Sequence, residues 1–246
     1  MRSSINFFTL NSLDLENNVF IKRLFKYFYQ VKPLKARYST YWPVSKLLNF
    51  LKSWHPENSL SLKQLTLKTV ALIALTSSDR GQTIHLAKTT NMILEEDNSI
   101  KFVIKDRTKT TRRTLRPKII NCCNSEMEEL NVANCVRFYL AATKEFRISN
   151  LYNRENLLYS WKTKKPVSKP TIARWLKLVL KLAGIDTNQF TAHSYRGAGL
   201  SSAFFRGASI GQIISAGNWK NVNIFKEHYC APSYESSLGN MILNDC

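Results

Sequence analysis

The feature that most constrains the fold is a nearly uninterrupted apolar stretch, residues 70–75, inside a helical segment that Ser61 is suited to cap. Polar residues at 76–79 end this segment. A helix that is apolar on every face has to be surrounded by other elements, so the stretch predicts the centre of a core. No run reaches the about 18 apolar residues that a membrane span needs.

Amphipathic patterns on both sides of this segment predict more helices. Phe20, Leu24, Tyr27 and Phe28 fall on one face of a helix within residues 15–30. Pro43 opens another helix, and a short one is expected to start near Arg80. Further helices are predicted at 131–146, 170–183, 195–206, 209–216 and 222–229. The glycines expected at left-handed C-terminal caps are Gly184, Gly207 and Gly217.

The periodicity changes in the middle of the chain. Three short segments, 92–94, 100–105 and 114–120, are separated by the polar turns EEDNS and DRTKTT. This arrangement predicts a three-stranded antiparallel sheet. The expected class is therefore mainly α with one small sheet, an α+β fold.

Charge gives the first indication of function. The 246 residues contain 36 Lys and Arg against 17 Asp and Glu, a formal net charge of +19. Such a field attracts a polyanion, and DNA or RNA is the obvious candidate. A ribosomal-type RNA binder and a basic protein without a special partner remain alternatives on charge alone.

Cysteine usage and the N-terminus predict a soluble intracellular protein. The five cysteines form no C-x-x-C pair and have no metal-like spacing with histidine, which indicates reduced thiols. The N-terminus lacks the short apolar core and cleavage site of a secretory signal.

The C-terminal region holds the residues that predict chemistry. His193 and Arg196 form an H-x-x-R pair whose helical spacing puts both side chains on one face, where they can address one anion. Trp219 precedes Tyr229 by ten positions, and Tyr229 ends the last predicted helix. Because residues 187–226 contain no Asp or Glu, a carboxylate partner for Arg196 is hard to find nearby.

Six residues of this chain, taken in order, resemble the pattern of the tyrosine recombinase and integrase family, and the resemblance spans about residues 33–232. These residues are Arg80, Lys109, His193, Arg196, Trp219 and Tyr229. The phrases SSDRGQTIHLAK and KTTR, with the Trp219–Tyr229 spacing, are similar to recombinases of DIRS-type retrotransposons. The resemblance implies the DNA breaking-rejoining catalytic fold of that family. It also implies cleavage and rejoining of double-stranded DNA, in site-specific recombination or transposon integration, without metal, ATP or another cofactor.

The same resemblance implies a role for each residue. Arg80 and Arg196 clamp the scissile phosphate, for which a guanidinium offers paired donors. Lys109 donates a proton to the departing 5′ oxygen, with Lys105 as its rival. His193 orients the phosphate and exchanges the proton of the attacking phenol.

Trp219 occupies a position that is histidine in many members of the family, and its indole N–H donates one hydrogen bond. Tyr229 is the nucleophile and Tyr234 its competitor. Structural roles are the alternatives: Arg80 as a helix-junction cap, His193 as a structural histidine, and Trp219 and Tyr229 as core aromatics. The pattern departs at Thr83, where many members carry an acidic residue.

Basic residues of the predicted hairpin are also candidates for contacts with the DNA backbone. They are Lys105, Arg107, Arg112 and Arg113. By analogy with the family, we expect a nuclear protein that forms a homo-oligomer, a tetramer on paired sites.

We expect three regions along the chain: a helix and linker (1–32), a catalytic domain (33–232) and a C-terminal tail (233–246). The first reads as the remnant of a clamp domain, so the chain is expected to be a fragment or to have lost its clamp. Two rivals remain: a catalytically silent DNA-binding descendant that reads the major groove with its 195–229 helices, and a type IB topoisomerase.

Overall fold

The computed structural model divides into two compact units, Met1–Arg37 and Tyr38–Cys246. It describes residues 18–31, 38–106, 117–149, 154–219 and 221–230. The first unit contributes helix α1 (Val19–Val31), on which Phe20 and Leu24 are exposed. No described helix has the length and hydropathy to cross a membrane.

The second unit is mostly helical and carries one sheet, as the sequence predicts. Its first elements are α2 (Val44–Lys52), α3 (Leu62–Ser77), α4 (Gly81–His85), β1 (Met92–Leu94), β2 (Ile100–Ile104) and β3 (Lys118–Cys122). The later helices are α5 (Val132–Ala142), α6 (Lys144–Ser149), α7 (Lys169–Leu182), α8 (Ser194–Phe205), α9 (Ile210–Gly217) and α10 (Val222–His228).

Helix α3 is the centre of the core, which confirms the main expectation from the apolar stretch. Ser61 and Gln64 form a capping box at its start, each accepting from the other's backbone N–H. Every residue from Leu65 to Leu75 is buried. Helices α5, α7 and α8 and strand β3 all contact α3, so its apolar faces are covered from several sides.

The three strands form an antiparallel sheet in the order β1-β2-β3. The third strand was expected at 114–120. Residues 114–116 lie outside the described residues, and the described strand runs from Lys118 to Cys122, two residues beyond the expected end. Pro117 has no N–H to donate to a ladder, and the register pairs Ile104 with Lys118 and Ile100 with Cys122. Pairing with β2 therefore sets the end of β3.

Two local expectations were wrong. The helix predicted at 131–146 is divided at Thr143, whose hydroxyl bonds back to the Tyr139 carbonyl at 2.6 Å. Gly184 and Gly207 have the expected positive φ, but Gly217 is the last residue of α9 and Asn218 takes the left-handed position (φ 47°). Gly217 is required for another reason: a Cβ there would lie 2.3 Å from the Trp219 ring.

Helices α8, α9 and α10 enclose a second, smaller apolar cluster. Its buried members are Leu200, Ile213 and Phe225, and Trp219 and Tyr229 pack against them. The two aromatic residues of the predicted site therefore belong to this C-terminal cluster rather than to the core around α3.

Substituting Gly197 tests the close packing of α8 against the start of the second unit. A Cβ at Gly197 would lie 2.0 Å from Cζ of Tyr41, a ring that is only 3% exposed. We expect Gly197→Ala to lower stability by about 1–3 kcal/mol, the usual cost of overpacking, and the melting temperature by several degrees.

Gly211→Ala is the matched control, because Gly211 is also helical and its nearest neighbour would be the Ser209 hydroxyl at 3.9 Å. Alanine there is expected to be neutral or stabilising. Equal melting temperatures for the two variants, measured by thermal unfolding, would contradict the packing.

Candidate active site

Three of the predicted site residues, Arg80, His193 and Arg196, line one cleft of about 180 Å³ in the second unit. The segment between α3 and α4 forms one wall, and α7 and the start of α8 form the others. The remaining lining residues are Asp79, Gly81, Ala173, Leu176 and Ala192. Residues far apart in sequence thus meet at a concave surface with two guanidinium groups.

Arg196 is the most deeply placed of these residues, with 2% of its surface exposed. Its Nη1 donates to the Ser78 carbonyl at 2.9 Å, and its Nη2 donates to the Gly217 carbonyl. Ser78 caps the C-terminus of α3 and Gly217 ends α9. Carbonyls at helix C-termini lack helical partners and carry partial negative charge, which suits them to hold a cation.

The charge of Arg196 is stabilised by dipoles more than by a neighbouring carboxylate. Burial lowers the pKa of Arg196, the like charge of Arg80 lowers it further, and Tyr229 and Asp79 act in the opposite direction. Within the described part of the chain its Nε has no acceptor. An anion entering the cleft would meet a desolvated guanidinium whose positive charge is still available.

Trp219 and Tyr229 lie over the same guanidinium. The Cζ of Arg196 is 4.8 Å from the centre of the Trp219 ring and 5.6 Å from that of Tyr229. The two rings are 4.7 Å apart, and Trp219 also packs on Phe225 at 5.8 Å. Trp219 is therefore a packing residue at the site, and this is compatible with the hydrogen-bonding role predicted for it.

Tyr229 caps the C-terminus of α10 and is half-buried. Its backbone N–H donates to Phe225 at 2.8 Å, and its carbonyl accepts from the Ser201 hydroxyl of α8. Burial, and to a smaller extent Tyr229, raises the pKa of Tyr41. The backbone around Tyr229 is thus tied to α8, the helix that carries Arg196.

Arg80 and His193 stand at helix starts, where their side chains are more accessible. Arg80 is the N-cap residue of α4 by backbone position, but its side chain makes no capping hydrogen bond. His193 precedes α8 and is exposed, with its backbone N–H directed to the Thr191 hydroxyl. Both side chains are positioned to meet a ligand in the cleft.

Only part of the predicted basic hairpin lies within the described residues. Lys109, Arg107, Arg112 and Arg113 lie outside the described residues, so their predicted roles stay predictions. Lys105 is exposed at the end of β2. Thr83, where the family pattern departs, is buried behind Arg80, and its N–H donates to the Arg80 carbonyl at 2.7 Å.

Four residues of the site escaped the sequence reasoning. Lys118 and Asp79 form an ion pair of 2.8 Å beside Arg80. The Ser78 carbonyl accepts a hydrogen bond from Arg196. Tyr41 packs against Gly197 of α8, the helix that carries Arg196. The position of Asp79 next to Arg80 was a visible signal, but a backbone carbonyl and a distant aromatic leave no sequence signal.

Comparison with solved structures establishes the fold. No family model and no curated protein sequence matches the chain. The XerA recombinase matches with a TM-score of 0.58 at 16% identity, covering 99% of this chain and 80% of that one. The XerH site-specific recombinase bound to difH substrate before cleavage also has a TM-score of 0.58, at 11% identity, covering 98% and 67%.

A dimer of lambda integrase bound to a core site matches with a TM-score of 0.51 at 13% identity, covering 87% of this chain and 71% of that one. The chain spans 48% of the length of XerH in its post-cleavage complex. The fold is therefore that of tyrosine recombinase catalytic domains, as the sequence predicts. The narrower likeness to retrotransposon recombinases stays a prediction.

Anion binding in the cleft is testable without DNA. We expect inorganic sulfate to raise the melting temperature of the wild-type protein more than that of Arg80→Gln, since one of the two guanidinium groups that line the cleft is lost. Sulfate at about ten times its Kd adds about 1.4 kcal/mol of stability.

Arg206→Gln is the control for general salting effects of sulfate, because Arg206 is exposed at the end of α8. It should respond like the wild type. The same sulfate increment in all three proteins would show that Arg80 holds no anion in the cleft.

Proposed function

We propose that this chain cleaves and rejoins DNA strands as a tyrosine recombinase, with Tyr229 as the nucleophile. The observation that carries the proposal is the convergence on one guanidinium. Arg196 lines the cleft with Arg80 and His193 and lies beneath the Tyr229 ring at 5.6 Å. Two arginines and a histidine share the cleft, and one of these arginines lies beneath a half-buried phenol. Together these residues supply the cations, the candidate base and the nucleophile for attack on a phosphodiester.

In the proposed reaction the Tyr229 hydroxyl attacks phosphorus and forms a 3′-phosphotyrosyl bond. The phenolic proton passes to a base, for which His193 is the candidate. The bond from phosphorus to the 5′ oxygen breaks, and the leaving oxygen takes a proton from a hairpin lysine, Lys109 or its rival Lys105. Arg80 and Arg196 stabilise the negative charge that develops on the non-bridging oxygens.

Rejoining is the same sequence in reverse. A 5′ hydroxyl attacks the phosphotyrosyl phosphorus, and Tyr229 leaves as a phenol that regains its proton. The ester retains the energy of the broken bond, so the number of phosphodiester bonds is conserved. The charge stabilisation comes from protein cations, and we expect the reaction to proceed in EDTA and without ATP.

Double-stranded DNA is the proposed substrate. The net charge of +19 supports a polyanionic partner, and the XerH and lambda integrase structures of the same fold are complexes with DNA sites. Assembly of several copies on paired sites is part of the proposal.

A covalent adduct is the direct test. We expect the protein to form a denaturant-resistant adduct with nicked duplexes whose sequence is randomised around the nick. Cleavage close to the nick releases a short fragment that carries the free 5′ hydroxyl. This fragment diffuses away, so rejoining is prevented and the adduct accumulates. Tyr229→Phe should abolish the adduct, since the nucleophilic oxygen is lost. Gel electrophoresis of strand-labelled duplexes measures both the amount and the 3′ attachment.

Tyr234→Phe is the control for the competing nucleophile and should form the adduct at the wild-type rate. An adduct that persists in Tyr229→Phe would reject the assigned nucleophile. Binding without any adduct in the wild type would favour the silent DNA-binding descendant.

Binding to duplex DNA should depend steeply on salt. Neutralising about four phosphates would weaken affinity by roughly 100-fold between 50 and 200 mM salt, because bound counterions are released. Fluorescence anisotropy with a labelled duplex measures this slope. Affinity that does not change with salt is incompatible with a phosphate-dominated interface.

A further inference from the structure

The ion pair of Asp79 and Lys118 joins two parts of the site that the sequence leaves separate. Lys118 Nζ lies 2.8 Å from Asp79 Oδ1, and the two side chains are only 11% and 7% exposed. Burying two charges costs desolvation energy, so such a pair is a poor source of net stability. A specific geometric role is a better reason for its presence.

Asp79 belongs to a turn of three residues that each serve a different part of the site. The Ser78 carbonyl accepts from Arg196, and Ser78 itself has the left-handed φ of 52°. The Asp79 carboxylate binds Lys118, while Arg80 lines the cleft. A shift of this turn would therefore move both arginines relative to each other.

Lys118 stands at the base of the β2-β3 hairpin. It is the first residue of β3 and pairs in register with Ile104, the last residue of β2. Lys105, the described candidate for the proton donor, follows Ile104 directly and is exposed. Holding Lys118 therefore holds the end of β2 from which Lys105 extends.

Asp79 also balances charge at the cleft. Of the described residues that line it, Asp79 alone carries a carboxylate, beside Arg80 and Arg196. Asp79 directly precedes Arg80 and so brings a carboxylate to the turn that carries this arginine.

We propose that Asp79 and Lys118 are positioning residues whose ion pair ties the base of the β2-β3 hairpin to the Arg80 turn. The tie fixes Lys105, the described candidate for the proton donor, relative to the two arginines of the cleft. This inference rests on the proposed function. It predicts a defect specific to protonation of the leaving group, which a general loss of structure would not produce.

The test compares two nicked duplexes that differ in one atom. The first has the natural 5′ bridging oxygen, which needs a proton to leave. The second has sulfur in its place, which leaves as a thiolate without an acid. We expect Asp79→Asn and Lys118→Met to slow adduct formation on the oxygen duplex by about 10- to 100-fold at saturating protein, where a change in Kd does not affect the rate. On the sulfur duplex the defect should shrink to less than about 3-fold.

Three further variants separate a positioning role of the ion pair from direct proton donation by Lys118 and from the effect of an unpaired buried charge. Lys118→Arg keeps the ion pair but is too weak an acid to donate the proton, so it should stay within about 3-fold of wild type. The double variant Asp79→Asn/Lys118→Met leaves no unpaired buried charge, and should be folded but as slow as the single variants. Lys101→Met is the matched control, since Lys101 pairs with Glu95 at 3.1 Å at the other end of β2, with 34% exposure.

Unchanged rates in the Asp79 and Lys118 variants would overturn the inference, and so would equal slowing on both duplexes. If Lys118→Arg were as slow as Lys118→Met and both recovered with sulfur, Lys118 would be the acid itself and the positioning role would be wrong. A wild-type protein without any adduct on either duplex would instead reject the proposed function.

Discussion

The buried guanidinium of Arg196 is the interaction on which the arrangement of the site depends. Moving a charge out of water is expensive, and the part of the chain that the structure describes supplies no carboxylate hydrogen-bonded to Arg196. Two helix ends compensate instead, through the carbonyls of Ser78 and Gly217. Because these carbonyls are dipoles and not full charges, the positive charge of Arg196 remains available to an anion in the cleft.

The same residue connects the two apolar clusters of the second unit. Ser78 ends the helix at the centre of the main core, whereas Gly217 belongs to the C-terminal cluster that contains Trp219 and Tyr229. Gly217 has to be glycine because the Trp219 ring occupies the space of its Cβ. The position of the Tyr229 ring relative to the Arg196 guanidinium is therefore set by packing around one side chain.

Much of this fold follows from sequence patterns, and the failures have local causes. The central helix and its cap were predictable because an apolar stretch has to be buried and Ser61 has Gln64 three positions later. The end of β3 and the break at Thr143 were not, since they depend on the register with β2 and on a hydroxyl that bonds back to Tyr139. The sequence pattern predicted a left-handed cap at Gly217, because it does not reveal that the Trp219 ring lies where a Cβ of residue 217 would be.

For the candidate site, the sequence by itself determined which residue types are present and in what order: two arginines, a histidine, a tryptophan and a tyrosine, with a spacing that resembles the tyrosine recombinase pattern. Only the tertiary structure decided that Arg80, His193 and Arg196 share a cleft, and that Asp79 meets Lys118 across 39 positions of chain. The physical reason is that side-chain chemistry is a property of single residues. Helix-end carbonyls, buried ion pairs and ring contacts exist only once distant segments have packed together.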